Sequence, residues 1–136
     1  MCCQRVLGIG VDIIEIRRFH RIAAVAPQGV AQRLYTAEEL SDGRIGRPEY
    51  LASRFAAKEA VMKSLGCGMD SIAFTDIEVF QDEYGQPHVR LTGSARARAD
   101  SIGARTVMIS LSHSDEMVCA FAVSVGGGCN EGCDSR

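Results

Sequence analysis

The most constraining feature of the sequence is a long helical segment between Pro48 and Gly66. Proline is favoured at the first position of a helix, and Gly66 and Gly68 supply a stop signal. Apolar residues recur at helical spacing and form one stripe, made of Leu51, Phe55, Met62 and Leu65. A chain of 136 residues, 46% of them hydrophobic and 24% charged, is expected to build one core around this helix.

Shorter segments on both sides of this helix show strand and helix patterns in a mixed order. Alternation over residues 5–13 predicts a strand whose core face carries Leu7, Ile9, Val11 and Ile13. The other face of that strand carries Gly8, Gly10 and Asp12. From Glu15 the pattern becomes helical, with an apolar stripe at Ile16, Phe19, Ile22 and Ala23 and a basic exposed face.

The remaining segments predict a capped short helix, two hairpins and one further helix. A capping box joins Thr36 to Glu39 in the helix that ends near Gly43. The first hairpin pairs residues 72–80 with a strand through Val89 and Leu91, and the second pairs residues 106–111 with 117–125. Between the hairpins, Thr92 or Ser94 caps a helix that ends at Gly103. The mixed order predicts an α+β fold with a mainly antiparallel sheet packed around the long central helix.

Charge and hydropathy exclude two classes of partner from the expectations. Lysine and arginine number 15 against 17 aspartate and glutamate, which gives a formal charge of −2 and no general attraction to nucleic acid. The longest apolar stretches are too short to span a bilayer, so no membrane contact is expected. We predict a single domain over residues 1–125 and a flexible tail over residues 126–136.

The six cysteines lack the regular spacing of a disulfide framework, and no secretory segment follows the first residues. A reducing cytoplasmic location is the simplest interpretation. Cys129 and Cys133 could contact a metal, but structural zinc normally takes four ligands. No further ligands lie near them in the sequence, so a zinc site is disfavoured.

Asp12 is the first functional group on the glycine-lined face of the predicted N-terminal strand. Glycines in a strand often mark the close approach of another backbone or of a ligand. In the simpler interpretation the glycines make room for a packed helix and Asp12 caps the helix that follows. The strand by itself does not separate a binding site from a cap.

The long helix carries a second group of charges. Lys58 falls inside the apolar stripe and needs a partner or a route to solvent. Glu59 and Lys63 lie at the stripe's edge, where the small residues Ala52, Ala56 and Gly66 leave space for a ligand. Taken alone, Glu59 and Lys63 fit a surface ion pair worth about 0.3 to 0.5 kcal/mol.

Together with Asp12, Glu59 offers two carboxylates, the usual protein complement for Mg²⁺ when phosphates and waters complete its coordination. Arg54, Lys58 and Lys63 could then supply charge for those phosphates. A third element is His113, which falls on the apolar face of its strand with Val107, Ile109 and Leu111. A histidine there is more often a core residue than a catalytic one, although the neighbouring serines keep a site possible.

Three blocks of the sequence resemble the signatures of the holo-acyl-carrier-protein synthase family, the small 4′-phosphopantetheinyl transferases of fatty acid synthesis. The blocks are residues 8–19 (GIGVDIIEIRRF), 54–60 (RFAAKEA) and 110–114 (SLSHS). Residues 76–79 (DIEV) and 85–87 (GQP) also look like the family's intervening strand and turn. The resemblance covers about residues 6–125 and implies the phosphopantetheinyl transferase fold.

The resemblance implies transfer of 4′-phosphopantetheine from coenzyme A to a serine of apo-acyl carrier protein, with release of adenosine 3′,5′-bisphosphate. It makes Asp12 and Glu59 the Mg²⁺ ligands and Glu59 and Lys63 the catalytic residues, with Glu59 taking the serine proton directly or through a metal-bound water. The coenzyme would contact Arg54, Lys63, Gly85, Pro87, His113 and Ser114.

The resemblance also assigns partners. Arg17, Arg18 and Arg21 on the basic helix face would meet the acidic carrier protein. Family members of this size look like homotrimers whose active sites lie between subunits, which would let a small domain enclose a large coenzyme.

This chain departs from the family pattern at Tyr84, Gln86 and Met117, positions that bear on nucleotide contact. Two alternatives to a transferase therefore follow. One is a coenzyme A or nucleotide-binding module without catalysis, and the other is a structural oligomer in which Glu59 and Lys63 are only a surface pair.

Overall fold

The computed structural model describes residues 3–127. The described chain forms the strands β1 (Arg5–Glu15), β2 (Ile77–Gln81), β3 (Pro87–Leu91), β4 (Ala104–His113) and β5 (Met117–Gly126). The α-helices are α1 (His20–Val25), α2 (Ala31–Leu34), α3 (Ala37–Leu40), α4 (Pro48–Ser64) and α5 (Gly93–Ile102). Short 3₁₀ turns at Ile16–Phe19 and Phe74–Asp76 precede α1 and β2.

The strands form two antiparallel sheets, as the sequence predicts. The larger sheet has the order β1-β5-β4, and the smaller one is the β2-β3 hairpin. Strand β5 therefore pairs with β4, its neighbour in the hairpin, and also with β1, the first strand of the described chain. Gly126 is the last residue of β5. Of the predicted tail over residues 126–136, Gly126 therefore belongs to the sheet, while residues 128–136, with Cys129 and Cys133, lie outside the described residues, where the tail stays a prediction.

The central helix α4 begins at Pro48 and ends one residue before Leu65, close to the predicted bounds. It packs against β1 and β5, and burial extends around most of its circumference, not only along the predicted stripe. Ala52 and Ala56 are fully buried. The space that their small side chains leave is therefore filled by protein and not by a ligand.

The face prediction for β1 is wrong. Ile9, Val11 and Ile13 are more than half exposed, and the glycine-lined face turns inward instead. A Cβ on Gly10 would lie 1.9 Å from the carbonyl oxygen of Ala60, and one on Gly8 only 2.0 Å from that of Ser64. The glycines thus let β1 touch the backbone of α4, because any side chain would hold the strand and helix apart.

Two local predictions also need correction. Ile72 is buried, but the strand starts only at Ile77, because the 3₁₀ turn at Phe74–Asp76 interrupts the alternating pattern. Helix α5 has Thr92 at its N-cap without a side-chain cap bond. Asp76 performs that role from the preceding turn, since its Oδ2 accepts from the backbone N and the hydroxyl of Ser94 at 2.8 and 2.6 Å.

The lysine inside the apolar stripe has a buried partner. Lys58 is 0% exposed, and its Nζ donates to Glu39 Oε1 at 2.6 Å and to the carbonyls of Leu34 and Phe74. Glu39 is the residue that closes the capping box with Thr36, which is present as predicted. The expectation that Lys58 supplies charge for phosphates is therefore wrong, because its ammonium group is already fully bonded inside the core.

Candidate functional site

An open cavity of about 440 Å³ lies between the start of α4, the β2-β3 turn and the end of β4. It brings together four of the residues predicted to bind a coenzyme: Arg54, Gly85, Pro87 and His113. These residues are up to 59 positions apart in the sequence. The fold brings them together because α4 packs against strands of both hairpins. His113 is exposed at the strand end, so its interpretation as a core residue is wrong.

Arg54 is the most unusual residue of this cavity wall. It is only 4% exposed, and its Nη1 donates to the hydroxyl of Ser53 at 3.0 Å. Its Nε is buried and has no hydrogen-bond partner in the described structure. Burial lowers the pKa of the guanidinium, yet arginine stays charged at neutral pH. A buried cation with an unsatisfied donor on a cavity wall is suited to bind an anion.

The cavity contains further cationic and aromatic residues that the sequence reasoning missed. Arg44, Arg47 and Tyr50 all line it, just before and within the first turn of α4. Arg44 forms an ion pair with Asp42 at 2.9 Å, and the guanidinium holds the pKa of that carboxyl at about 2. The available signal was their place beside Pro48, because helix N-termini favour anions.

A second group of charges lies further along α4, where the helix meets β1. Lys63 Nζ donates to the Val11 carbonyl at 2.8 Å and lies 3.6 Å from Asp12 Oδ1. Burial raises the pKa of the Asp12 carboxyl, and Lys63 opposes that shift. Burial and then the charge of Asp12 raise the pKa of Glu59. The structure therefore brings Asp12, Glu59 and Lys63 together, as the sequence predicts.

This arrangement decides between the alternatives left open by the sequence. Strand β1 continues to Glu15, and the turn that follows has no side-chain cap bond, so Asp12 is not a helix cap. The ion pair of Lys63 is with Asp12 across the helix-strand contact, which replaces the predicted pair with Glu59.

The register of the larger sheet relates the two groups of residues. Asp12 and Leu111 both pair with Ala120, while Ile14 and His113 both pair with Val118. Asp12 and His113 therefore lie near one end of the sheet, on the strands that flank β5. Since adjacent strands are about 4.8 Å apart, roughly 10 Å separates β1 from β4 there. One extended ligand can span this distance.

The other predicted residues lie around these groups. Ser114 is in the β4-β5 turn, where its hydroxyl accepts from the backbone N of Met117 at 3.1 Å, and it is not among the described residues lining the cavity. Arg17, Arg18 and Arg21 are exposed. The charge of Arg18 also lowers the pKa of Asp12, which puts this arginine on the side of the carboxylate pair.

The two carboxylates provide the negative charge that a hard divalent cation needs, but they are too few to fill its coordination shell. Asp12 and Glu59 are negative groups forced together, and added positive charge would relieve their repulsion. Within residues 3–127 no cluster of three or more histidine, cysteine, aspartate or glutamate residues could hold a metal. The pair suits Mg²⁺, which commonly takes one or two carboxylates and completes its shell with phosphate oxygens and water.

Comparisons with known proteins identify the family. Residues 8–122 match the sequence model of the 4′-phosphopantetheinyl transferase superfamily. The chain is 39% identical over 134 residues to a holo-[acyl-carrier-protein] synthase of Clostridium novyi, which spans 95% of this chain and 96% of that protein.

Solved structures with the same fold include two with a bound nucleotide. A Plasmodium yoelii acyl carrier protein synthase with ADP bound superposes with a TM-score of 0.81 at 29% identity and covers 92% of this chain and 98% of its own. A Bacillus anthracis holo-(acyl-carrier-protein) synthase in complex with CoA (3′,5′-ADP) gives 0.70 at 32% identity, covering 90% and 98%. The fold, the site and these relatives agree that the chain belongs to the 4′-phosphopantetheinyl transferase superfamily.

Proposed function

We propose that this chain transfers the 4′-phosphopantetheine group of coenzyme A to a serine hydroxyl of apo-acyl carrier protein and releases adenosine 3′,5′-bisphosphate. The observation that carries the proposal is the cavity with the buried, unsatisfied Arg54, together with the carboxylate pair formed by Asp12 of β1 and by Glu59 of α4, the helix that also carries Arg54. An anion-binding cavity and a pair of carboxylates suit a substrate whose reactive bond lies in a pyrophosphate. The coenzyme A complex of the Bacillus anthracis relative supports the same substrate.

For coenzyme binding, we assign the phosphates to Arg54, His113 and Lys63. Gly85 and Pro87 border the cavity from the β2-β3 turn, where backbone groups and a rigid ring can contact the nucleotide. Ser114 follows His113 directly and would complete this wall through its side of the β4-β5 turn. Since α4 carries both Arg54 and Glu59, we place the pyrophosphate between the cavity and the carboxylate pair.

Asp12 and Glu59 would hold Mg²⁺, for which their two negative charges are suited. When bound, the ion would supply positive charge that stabilises the phosphoryl group and the leaving group. Lys63 holds Asp12 in place through its ammonium group, and this ammonium is also free to meet an anion because its side chain is 53% exposed. Glu59 accepts the proton of the attacking serine in our proposal.

The carrier protein would approach over the exposed arginines at the start of the chain's first helical turns. Arg17, Arg18 and Arg21 present positive charge there, which would attract an acidic partner at low salt. Arg18 lies close enough to Asp12 to change its pKa. A partner docked on these residues would therefore bring its serine toward the carboxylate pair.

We further propose a homotrimer with active sites between subunits. The outward face of the larger sheet carries large apolar side chains that are 43% to 64% exposed: Ile9, Val11, Ile13, Met108 and Phe121. Register pairs Val11 with Phe121, so these side chains form a continuous patch across the strands. Soluble proteins rarely leave such a patch uncovered.

The proposed biological role is activation of carrier protein for fatty acid biosynthesis in the cytoplasm. The described part of the chain has no helix long and apolar enough to cross a membrane. The free thiols of Cys67 and Cys119 are compatible with a reducing compartment.

The transfer is tested by measuring adenosine 3′,5′-bisphosphate released from coenzyme A by liquid chromatography. Release is expected only when apo-acyl carrier protein and Mg²⁺ are both present, and it should stop when the acceptor serine is replaced by alanine. Coenzyme A binding without release, tested with several carrier proteins, would contradict the proposal and indicate a binding module.

A further inference from the structure

Tyr50 contacts two of the three arginines that line the cavity, Arg44 before α4 and Arg54 within it. We propose that Tyr50 is a positioning residue: its ring holds the guanidinium groups of Arg44 and Arg54 in the arrangement that binds a phosphate group of coenzyme A. This inference rests on the proposed function for the identity of the ligand. It adds two residues, Tyr50 and Arg44, that neither the sequence motifs nor the family resemblance assigned.

The ring contacts are the first part of the argument. The guanidinium carbon of Arg54 lies 4.3 Å from the centre of the Tyr50 ring, and that of Arg44 lies 4.8 Å from it. Both distances are within the range of a favourable cation-π contact. Burial raises the pKa of Tyr50, so the ring is neutral and keeps its electron-rich face for these cations.

The ring itself is fixed by a buried network. The Tyr50 hydroxyl donates to the Glu39 carbonyl oxygen at 3.2 Å. The Glu39 carboxylate is bound from three sides, by Lys58 Nζ at 2.6 Å and by the backbone N of Thr36 and Val79 at 2.8 and 2.9 Å. Glu39 therefore cannot move without breaking its buried ion pair with Lys58. Because the Tyr50 hydroxyl is bonded to Glu39, the position of the Tyr50 ring is fixed as well.

The two arginines differ in how firmly other groups hold them. Arg54 donates to the Ser53 hydroxyl, and among residues 3–127 its buried Nε has no hydrogen-bond partner. Arg44 is bonded to Asp42 and to Gln81 Oε1, both near the cavity rim. The charge of Arg44 lowers the pKa of Arg54, which shows that the two cations oppose each other.

Arg44 and Arg54 both contact the neutral Tyr50 ring, and an anion bound between them would neutralise their positive charges. A phosphate oxygen can accept from the unsatisfied Nε of Arg54 and at the same time offset the repulsion between the two guanidinium groups. Without the ring, the side chain of Arg54 would be free to adopt other rotamers, and the phosphate would have to order it on binding. Tyr50 thus contributes to affinity for the coenzyme without taking part in bond making or breaking.

The test titrates coenzyme A, and separately adenosine 3′,5′-bisphosphate, into the wild type and two variants by calorimetry. Tyr50→Leu removes the ring and should weaken binding of both ligands about tenfold, since it removes two cation-π contacts. Tyr50→Phe keeps the ring but loses the hydroxyl's bond to the Glu39 carbonyl, so its affinity for both ligands should lie between those of the wild type and Tyr50→Leu. In the transfer assay, Tyr50→Leu should raise KM for coenzyme A while kcat at saturating coenzyme A stays within twofold.

Two matched controls separate positioning from a general loss of packing. Phe74→Leu removes another ring from the core, one that stacks on Phe55 and does not line the cavity. Tyr35→Phe removes another buried hydroxyl, which donates to the Leu51 carbonyl. Both controls should bind coenzyme A like the wild type.

Coenzyme A affinity of Tyr50→Leu equal to that of the wild type would overturn the inference. If that variant does not fold, Arg44→Lys decides, because lysine keeps the charge and lacks the planar group that stacks on the ring. It should bind coenzyme A at least threefold more weakly, and unchanged affinity would overturn the inference. Wild-type protein that binds neither ligand would contradict the proposed function itself, a result distinct from either variant's behaviour.

Discussion

At the scale of single residues, Asp12 and Glu59 are two partly buried carboxyl groups whose ionised forms lower the stability of the folded protein. Burial raises the pKa of both carboxyls, and the charge of Asp12 raises that of Glu59 further. A glutamate with a raised pKa in the folded state destabilises the fold when it is ionised. Carboxylates arranged in this way are typical of functional sites, which exchange stability for chemistry.

Replacing Glu59 with glutamine should therefore raise the free energy of unfolding of the metal-free protein near pH 7, by roughly 0.5 kcal/mol. The difference should shrink as the pH falls through the raised pKa of Glu59 and vanish below its ordinary value of 4.5, where the carboxyl is protonated in both states. Urea unfolding in EDTA at several pH values measures this. Glu38→Gln, on an exposed surface, is the control, and a Glu59→Gln variant less stable than the wild type at pH 7 would contradict the account.

The sequence allowed functional residues to be predicted where they lie within a recognisable motif, and not elsewhere. Asp12 and Glu59 drew attention as two carboxylates that could share a metal, and the three signature blocks then assigned roles to them and to Lys63. Tyr50 and Arg44 escaped, because an aromatic residue at the start of a helix and an arginine before it have ordinary structural explanations. Only the three-dimensional contact between them indicates a function.

The contact between β1 and α4 is the main determinant of the site at the scale of secondary structure. Gly8 and Gly10 bring the strand against the helix backbone, and this contact carries Asp12 to Glu59 and Lys63. The bounds of α4 were predictable because proline and glycine act locally. The inward face of β1 was not, since alternation separates two faces without saying which is covered. Here the glycine-lined face is covered by the helix.

Gly10→Ala should destabilise the fold by roughly 2 kcal/mol or more, because its Cβ would lie 1.9 Å from a backbone oxygen of α4. Gly43→Ala is the matched control, since nothing lies within 4 Å of a Cβ at that position. Urea unfolding compares the two variants. Equal stability of Gly10→Ala and Gly43→Ala would show that the strand and the helix are not in this close contact.

At the scale of the whole molecule, the apolar outer face of the larger sheet is the reason for expecting a trimer. A monomer would expose Ile9, Val11 and Phe121 to water, although the rest of the fold buries its apolar residues well. The proposed trimer would also explain the apolar alternation of β1, since an interface between identical subunits is more apolar than the rest of a protein surface.

Ile9→Lys should shift the assembly from a trimer, three times 14.7 kDa, to a monomer and abolish transfer. Val30→Lys is the control, because Val30 is similarly exposed, at 53% against 64%, and lies away from the sheet. Light scattering coupled to gel filtration measures the mass. A wild-type chain that is monomeric at micromolar concentration would refute the trimer and leave the fold assignment intact.

The central claim is that the cavity and the carboxylate pair together transfer phosphopantetheine to a carrier protein. The most direct measurement is the intact mass of apo-acyl carrier protein after incubation with this chain, coenzyme A and Mg²⁺. The account predicts a gain of one phosphopantetheine group that is lost with EDTA, with Asp12→Ala and with Glu59→Ala. An unchanged mass with several carrier proteins, or a full gain with both alanine variants, would contradict it.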